Sequence, residues 1–243
     1  MMPRIPITDV RPVVENGRYP AKATVREPFP VSARVFREGH DRLGAGVVLT
    51  GPDGVDRRIV TMTDEGNDFF RAWVAADDAG SWTFRVESWS DPYATWSHDA
   101  AVKIAAGVDV DLMLVEGAAL LDRARTWVPD GTDAARVLAE AAATLRDRTS
   151  DAETRLAAGV AQPVREVLAD HPVRGLLGSS PSYPVVVDRA RAVAGAWYEF
   201  FPRSEGAVRL EDGSVRAGTL HTAAQRLAAV AAMGFDVIYL PPI

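Results

Sequence analysis

Four tryptophans, Trp73, Trp82, Trp89 and Trp96, crowd one short stretch of a 243-residue chain. An indole offers a flat apolar face and one N–H donor. Exposed rings on a sheet can stack on the face of a pyranose, and the same residue type dominates cores and subunit interfaces. Trp82 shares the alternation of Phe84 and Val86 and is expected in a core. Trp89 falls on the opposite parity, which makes it the better surface candidate for sugar. One acid, Glu199, stands inside an apolar run, and Arg203 follows just beyond it. The two could meet a substrate or simply pair with each other, as buried acids normally do.

Other chemistry finds little support. His40, His98, His171 and His221 show neither H-x-x-x-H nor H-x-H spacing, so no metal site is expected. His98 and Asp99 are neighbours on or beside an expected strand, where adjacent side chains point apart, which argues against a dyad. The serines lack a G-x-S-x-G context. The glycines form neither G-x-G-x-x-G nor a Walker loop, so no cofactor is expected. The chain has no cysteine, which excludes disulfides, thiolate metal ligands and cysteine nucleophiles.

Charge narrows the partners. Residues 1–110 carry 13 basic and 16 acidic side chains, residues 111–243 carry 14 and 17, and the net charge is −6. No basic excess marks a face for nucleic acid or an anionic membrane. No stretch of about 18 apolar residues offers a membrane span. Residues 1–7 show no apolar signal region, so a cytoplasmic protein is expected.

Three compositions follow one another along the chain. To about residue 110 the pattern is that of strands. Val31, Ala33 and Val35 alternate with Ser32 and Arg34, and Gly51–Gly54 is a turn signal. Short strands with turns at this spacing predict an antiparallel β-sandwich of Ig-like type. From about residue 111 the spacing turns helical. Met113, Leu114, Ala118 and Leu121 form one stripe, and Val137, Leu138, Ala141 and Leu145 form another behind a Thr132 cap. Ser150 and Glu153 match a capping box for a third helix, which Pro163 should end or kink. A compact helical bundle is the natural packing. The last part holds an apolar run at residues 197–201, a helix with a Thr222–Gln225 capping box and a stop at Gly234, and a second apolar run at residues 237–240. Strand, helix and strand, with both strands apolar throughout, predict a βαβ unit of a parallel sheet. Asp236 then lies before its strand as a turn residue. Two such strands leave apolar edges bare, so the chain is expected to be the front of a longer protein whose sheet or barrel continues.

Residues 195–204 (GAWYEFFPRS) and 231–243 (AAMGFDVIYLPPI) resemble the first two barrel strands of the α-amylase superfamily. With residues 17–23 (GRYPAKA), 35–41 (VFREGHD), 89–99 (WSDPYATWSHD) and 102–107 (VKIAAG), nearly the whole chain resembles the N-terminal portion of the maltose-1-phosphate maltosyltransferases. The resemblance implies a multidomain protein. A β-sandwich would span residues 1–110, a helical bundle insert residues 111–192, and the opening βαβ of a truncated (β/α)8 barrel residues 193–243. It further implies transfer of maltosyl units from maltose 1-phosphate to α-1,4-glucan with retention, and a homodimer built through sandwich and bundle. Retention needs a carboxylate nucleophile and a separate acid/base. In this superfamily they stand on the fourth, fifth and seventh strands, so no catalytic residue is expected in this chain. Glu199, Arg203 and Trp89 remain as candidates for substrate contact. A non-catalytic α-glucan-binding module or a structural dimerisation module is the alternative.

Overall fold

The computed structural model describes residues 4–241. Eight strands come first: β1 (Ile7–Arg11), β2 (Ala21–Thr24), β3 (Phe29–Val35), β4 (Leu43–Thr50), β5 (Val60–Thr61), β6 (Thr63–Asp64), β7 (Phe69–Val74) and β8 (Gly80–Ser90). Five helices follow: α1 (Pro92–Ala105), α2 (Val110–Arg125), α3 (Asp133–Arg146), α4 (Ala152–Gly159) and α5 (Gln162–Asp170). The chain then returns to sheet as β9 (Gly175–Ser179) and β10 (Tyr183–Asp188).

Two sheets pack face to face. One runs β1-β3-β7-β6, the other β2-β10-β8-β4-β5, with β9 beside the far half of β8. Alternation along each strand sends one set of side chains inward. Val31, Ala33, Val35, Phe70 and Val74 of the small sheet meet Val47, Leu49, Trp82, Phe84, Val86, Val185 and Val187 of the large one. Strand β10 lies antiparallel to β8 and parallel to β2, pairing Val185 with Ala21 and Asp188 with Thr24. The helices are therefore an excursion between β8 and β9, and the large sheet is complete only after the chain comes back. Local periodicity carries no signal of so distant a pairing.

The strand pattern expected to residue 110 ends at Ser90, and α1 begins two residues later. The Asp91 side chain accepts the Ala94 N–H at 2.8 Å, and Pro92 occupies the first turn, where a missing N–H costs nothing. Trp96, Ala100 and Ile104, four apart, are the buried face. His98 and Asp99 thus lie on a helix. The bundle core gathers Trp96, Leu114, Ala118, Leu121, Leu138, Leu145, Val164 and Leu168. Thr132 caps α3 as expected, accepting from Ala135 at 3.2 Å. The α4 cap is Asp151, which accepts from Thr154, one residue past the expected Ser150. Pro163 opens α5 instead of ending α4. Arg155, 6 % exposed, donates from Nε at 3.0 Å and Nη2 at 2.6 Å to the Leu145 carbonyl, closing the end of α3.

The last segment holds β11 (Trp197–Glu199), a hairpin of β12 (Val208–Arg209) and β13 (Val215–Arg216), α6 (Leu220–Ala224), α7 (Leu227–Ala232) and β14 (Val237–Tyr239). Strands β11 and β14 pair in parallel, Tyr198 opposite Ile238. Among the described residues they form a sheet of two. The cap of α6 is Thr219, with Thr222 answering back as the third residue of the box. Gly234, at φ +90°, takes the left-handed position after α7. Among the described residues no helix is long and apolar enough to cross a membrane.

Candidate functional site

Glu199 is the last residue of β11, and its side chain is exposed. It stands at the C-terminal end of the parallel pair, opposite Tyr239. Arg203 follows in the loop after the strand and is also exposed, and its carbonyl accepts the Gly218 N–H at 2.8 Å. Among the described residues no ion pair joins Glu199 to Arg203, so the expected mutual pairing is not made. The structure places both at the end of the pair that also carries the β12–β13 hairpin. Beneath them Tyr198 packs edge-on to Phe235 at 5.0 Å, and its hydroxyl accepts from Arg226 at 3.2 Å. Asp236 serves the other end: it accepts the Ala196 N–H and pairs with Arg191. This is the turn role expected of it.

The tryptophans separate sharply. Trp82 is 2 % exposed and donates to the Asp78 carbonyl at 2.9 Å. Trp96 is buried in the bundle. Trp89 points to the face opposite Trp82, as its parity requires, but it is only 3 % exposed. The outer face of the large sheet is covered at this point. Gly44 and Gly46 on β4 leave room for the indole to lie flat, and a Cβ at Gly44 would stand 2.2 Å from Trp89 Nε1. Arg174, arriving from the segment between α5 and β9, lies 4.4 Å above the ring. The expectation that Trp89 offers a surface to sugar is corrected: its faces are already taken.

A charged row surrounds that ring. Arg85 bonds Asp56 at 2.8 Å and Glu87 at 2.9 Å, and Arg174 stands 3.5 Å from Glu87. The Arg85 guanidinium, followed by the Thr50 hydroxyl, holds the Asp56 carboxyl below the usual carboxylate range. Burial, opposed by backbone N–H donors, pushes the Asp91 carboxyl at the head of α1 up. Neither acid faces a nucleophile, and both are accounted for by a sheet pair and a helix cap. Among the described residues no group of three or more acids and histidines could hold a metal ion.

Of the four clustered tryptophans Trp73 is the one left open, at 60 % exposure. Its signal was present in the sequence: Phe70, Ala72 and Val74 face the core, so Phe69, Arg71 and Trp73 must face outward.

The family model for alpha-1,4-glucan:maltose-1-phosphate maltosyltransferase, domain N/S, matches residues 3–189, ending one residue after β10. The chain is 52 % identical over 242 residues to alpha-1,4-glucan:maltose-1-phosphate maltosyltransferase 1 of Streptomyces coelicolor, covering 99 % of this chain and 35 % of that protein. It is 52 % identical over 244 residues to enzyme 2 of the same organism, with 99 % and 35 % covered. To the maltosyltransferase of Mycobacterium tuberculosis it is 42 % identical over 267 residues, with 99 % and 38 % covered. The chain spans about a third of the length of the curated relatives it matches.

Proposed function

The chain belongs to the alpha-1,4-glucan:maltose-1-phosphate maltosyltransferase family, and from that premise we propose that it forms the front portion of a retaining enzyme that elongates α-1,4-glucan with maltosyl units. The observation that carries this reading is the agreement between the family match over residues 3–189 and the parallel β11–β14 pair that follows it. We read the two sheets as an Ig-like module, the helices as its insert, and residues 193–243 as the opening of a (β/α)8 barrel. Substrates meet such a barrel at the C-terminal ends of its strands. Glu199, Arg203 and the β12–β13 hairpin stand at that end, so their role in this reading is to shape the rim of the donor and acceptor cleft.

The chemistry itself is assigned to parts of the relatives outside this chain's span. A covalent glycosyl intermediate needs two carboxyl groups about 5–5.5 Å apart across the scissile bond. Glu199 has no such partner on β14, where Tyr239 stands opposite it. Assembly is the second role. Val102 on α1, Leu112 and Val115 on α2, and Val108 between them are about half exposed on the helical side. We read them as the contact of a homodimer, because a second copy would bury the same side chains at once. A cysteine-free front portion of an enzyme that uses a sugar phosphate suits the cytoplasm.

Incubating the chain with maltose 1-phosphate and glycogen tests the assignment of chemistry. No release of inorganic phosphate is expected, whereas a chimera in which this chain replaces the matching third of the Streptomyces coelicolor relative is expected to release it. Turnover by the chain alone, or a folded chimera without turnover, would contradict the reading.

A further inference from the structure

We propose that Glu199 is a positioning residue for the transfer reaction: its carboxylate holds a basic side chain, supplied by a later strand of the barrel, at the floor of the substrate cleft. The inference rests on the maltosyltransferase reading for the reaction and on the β11–β14 pair for the side chain. Successive residues of a strand face opposite sides. Tyr198 meets Phe235 at 5.0 Å and Arg226 at 3.2 Å, so it faces the layer of α6 and α7. Trp197 and Glu199 therefore face away from the helices. A Cβ at Gly195 would stand 3.6 Å from both Trp197 Nε1 and Val237 Cγ2, which puts Val237 on the same side as Trp197. The parallel register, Trp197 with Val237 and Glu199 with Tyr239, completes that face.

In a (β/α)8 barrel the face turned from the helices is the interior. It is filled by layers of side chains, and the layer at the C-terminal ends of the strands borders the substrate. Here the lower layer is Trp197 and Val237, and the upper one is Glu199 and Tyr239, where both strands end. Glu199 and Trp197 are exposed in the chain itself, and further strands closing over this face take both from water. A carboxylate in that position, above an apolar layer, requires a counter-charge.

This chain does not supply one. Among the described residues the face carries no base, and Tyr239 opposite offers a hydroxyl without charge. In the loop that follows, the Arg203 carbonyl accepts from the Gly218 N–H and the Glu205 carbonyl from the Thr222 hydroxyl, both at 2.8 Å. No ion pair joins Arg203 to Glu199 among the described residues. Arg226 is engaged by Tyr198 on the helix side, and Asp236 pairs with Arg191 at the other end. The cation is therefore left to strands outside this chain's span. A guanidinium or ammonium held by Glu199 stands near the two carboxyl groups that retention requires. Without Glu199 it is freed, and a free cation favours the ionised form of the acid/base carboxyl.

Steady-state kinetics of the chimera with the Streptomyces coelicolor relative test the proposal. Glu199→Gln is expected to lower kcat by between about tenfold and a hundredfold, the scale of a misplaced catalytic group, with KM for maltose 1-phosphate changing less. The alkaline limb of the pH–rate profile reports loss of the acid/base proton and should move to lower pH by about half a unit or more. Glu199→Asp, which keeps the charge, should recover part of the rate and leave the limb in place. Arg203→Gln should leave the limb in place, and Glu153→Gln on α4 should leave kcat and the profile unchanged. In the chain alone, Glu199→Gln should keep the wild-type thermal midpoint. An unmoved limb in Glu199→Gln would overturn the proposal, as would an equal movement in Arg203→Gln, which would place the counter-charge in this chain. Should Glu199→Gln prevent folding of the chimera, Glu199→Asp carries the test, and a displaced limb there counts against the proposal. A folded chimera without turnover sinks the maltosyltransferase reading and this proposal together, whereas an active chimera indifferent to Glu199→Gln sinks the proposal alone.

Discussion

Replacing Trp96 with alanine is expected to lower the stability of the helical unit by about 3–5 kcal/mol, the range for emptying a core site of this size. The side chain is 7 % exposed and joins its own helix to two others. From α1 its Nε1–H donates to the Met113 carbonyl on α2 at 2.7 Å. Its ring lies over Gly117, where a Cβ would come within 2.1 Å of it, and over Gly159 on α4, where the distance would be 2.9 Å. Tyr93 packs beside it with its ring tilted, centroids 5.8 Å apart, and donates its hydroxyl proton to the Gly159 carbonyl at 3.1 Å. Alanine leaves a void that these helices cannot close without giving up their other contacts. Gly117→Ala attacks the same junction from the other side, because the added methyl meets a ring that has no free end to swing away. Its expected cost is about 1–3 kcal/mol. The double variant should cost less than the sum, because the methyl then points into the space the indole has left. Urea denaturation followed by circular dichroism checks all three. A Trp96→Ala midpoint equal to that of the wild type would refute the account of the bundle.

The second large effect is expected at Trp89, and its details differ in an instructive way. Trp89→Ala should also cost about 3–5 kcal/mol. It removes the ring that fills the space above Gly44 and Gly46 and leaves Arg174 without its platform. Trp89→Phe should behave otherwise. Among the described residues Trp89 Nε1 and Arg174 Nε are buried polar atoms without a hydrogen-bond partner. A phenylalanine keeps most of the stacking and removes one unpaired donor, so its cost should stay below about 1.5 kcal/mol. At Trp96 the same change breaks the 2.7 Å bond from Nε1 to the Met113 carbonyl, which keeps its helical partner within α2, and the lost bond should add roughly 1 kcal/mol. Denaturation midpoints that rank Trp89→Phe below Trp96→Phe would contradict this contrast.

These two residues also mark what could be read from sequence. The inward parity of Trp82, Phe84 and Val86, the Thr132 cap and the Gly234 stop were legible because each depends on neighbours within a few positions. The parity of Trp89 was legible as well. Its burial was not, because the glycines beneath it stand some 45 residues earlier and the arginine above it some 85 later. The α1 helix lies inside the stretch where alternation and turn spacing predict strands to residue 110; the four-residue spacing of Trp96, Ala100 and Ile104 and the Asp91-Pro92 start are the signals that mark it. The return of β10 to β2 joins positions more than 160 residues apart and has no local signature. At the candidate site the acid and the arginine were placed on the expected strand and loop. Their separation from each other was not foreseen, because exposed charges have little reason to seek one partner.

The sandwich and the last segment differ in how far their sheets are built up. The large sheet gathers six strands of its own chain, while β11 and β14 hold only each other among the described residues, with Trp197 64 % and Tyr239 46 % exposed. Native-state hydrogen exchange on the chain reads this difference directly. The amides of Val47, Val86 and Val187 should exchange only through the slowest opening, and those of Tyr198 and Ile238 should exchange about a hundredfold faster or more, because a pair with bare edges opens locally. Equal protection of both sets would mean that the β11–β14 pair is already a finished structure, and the barrel-opening role proposed for it would be wrong.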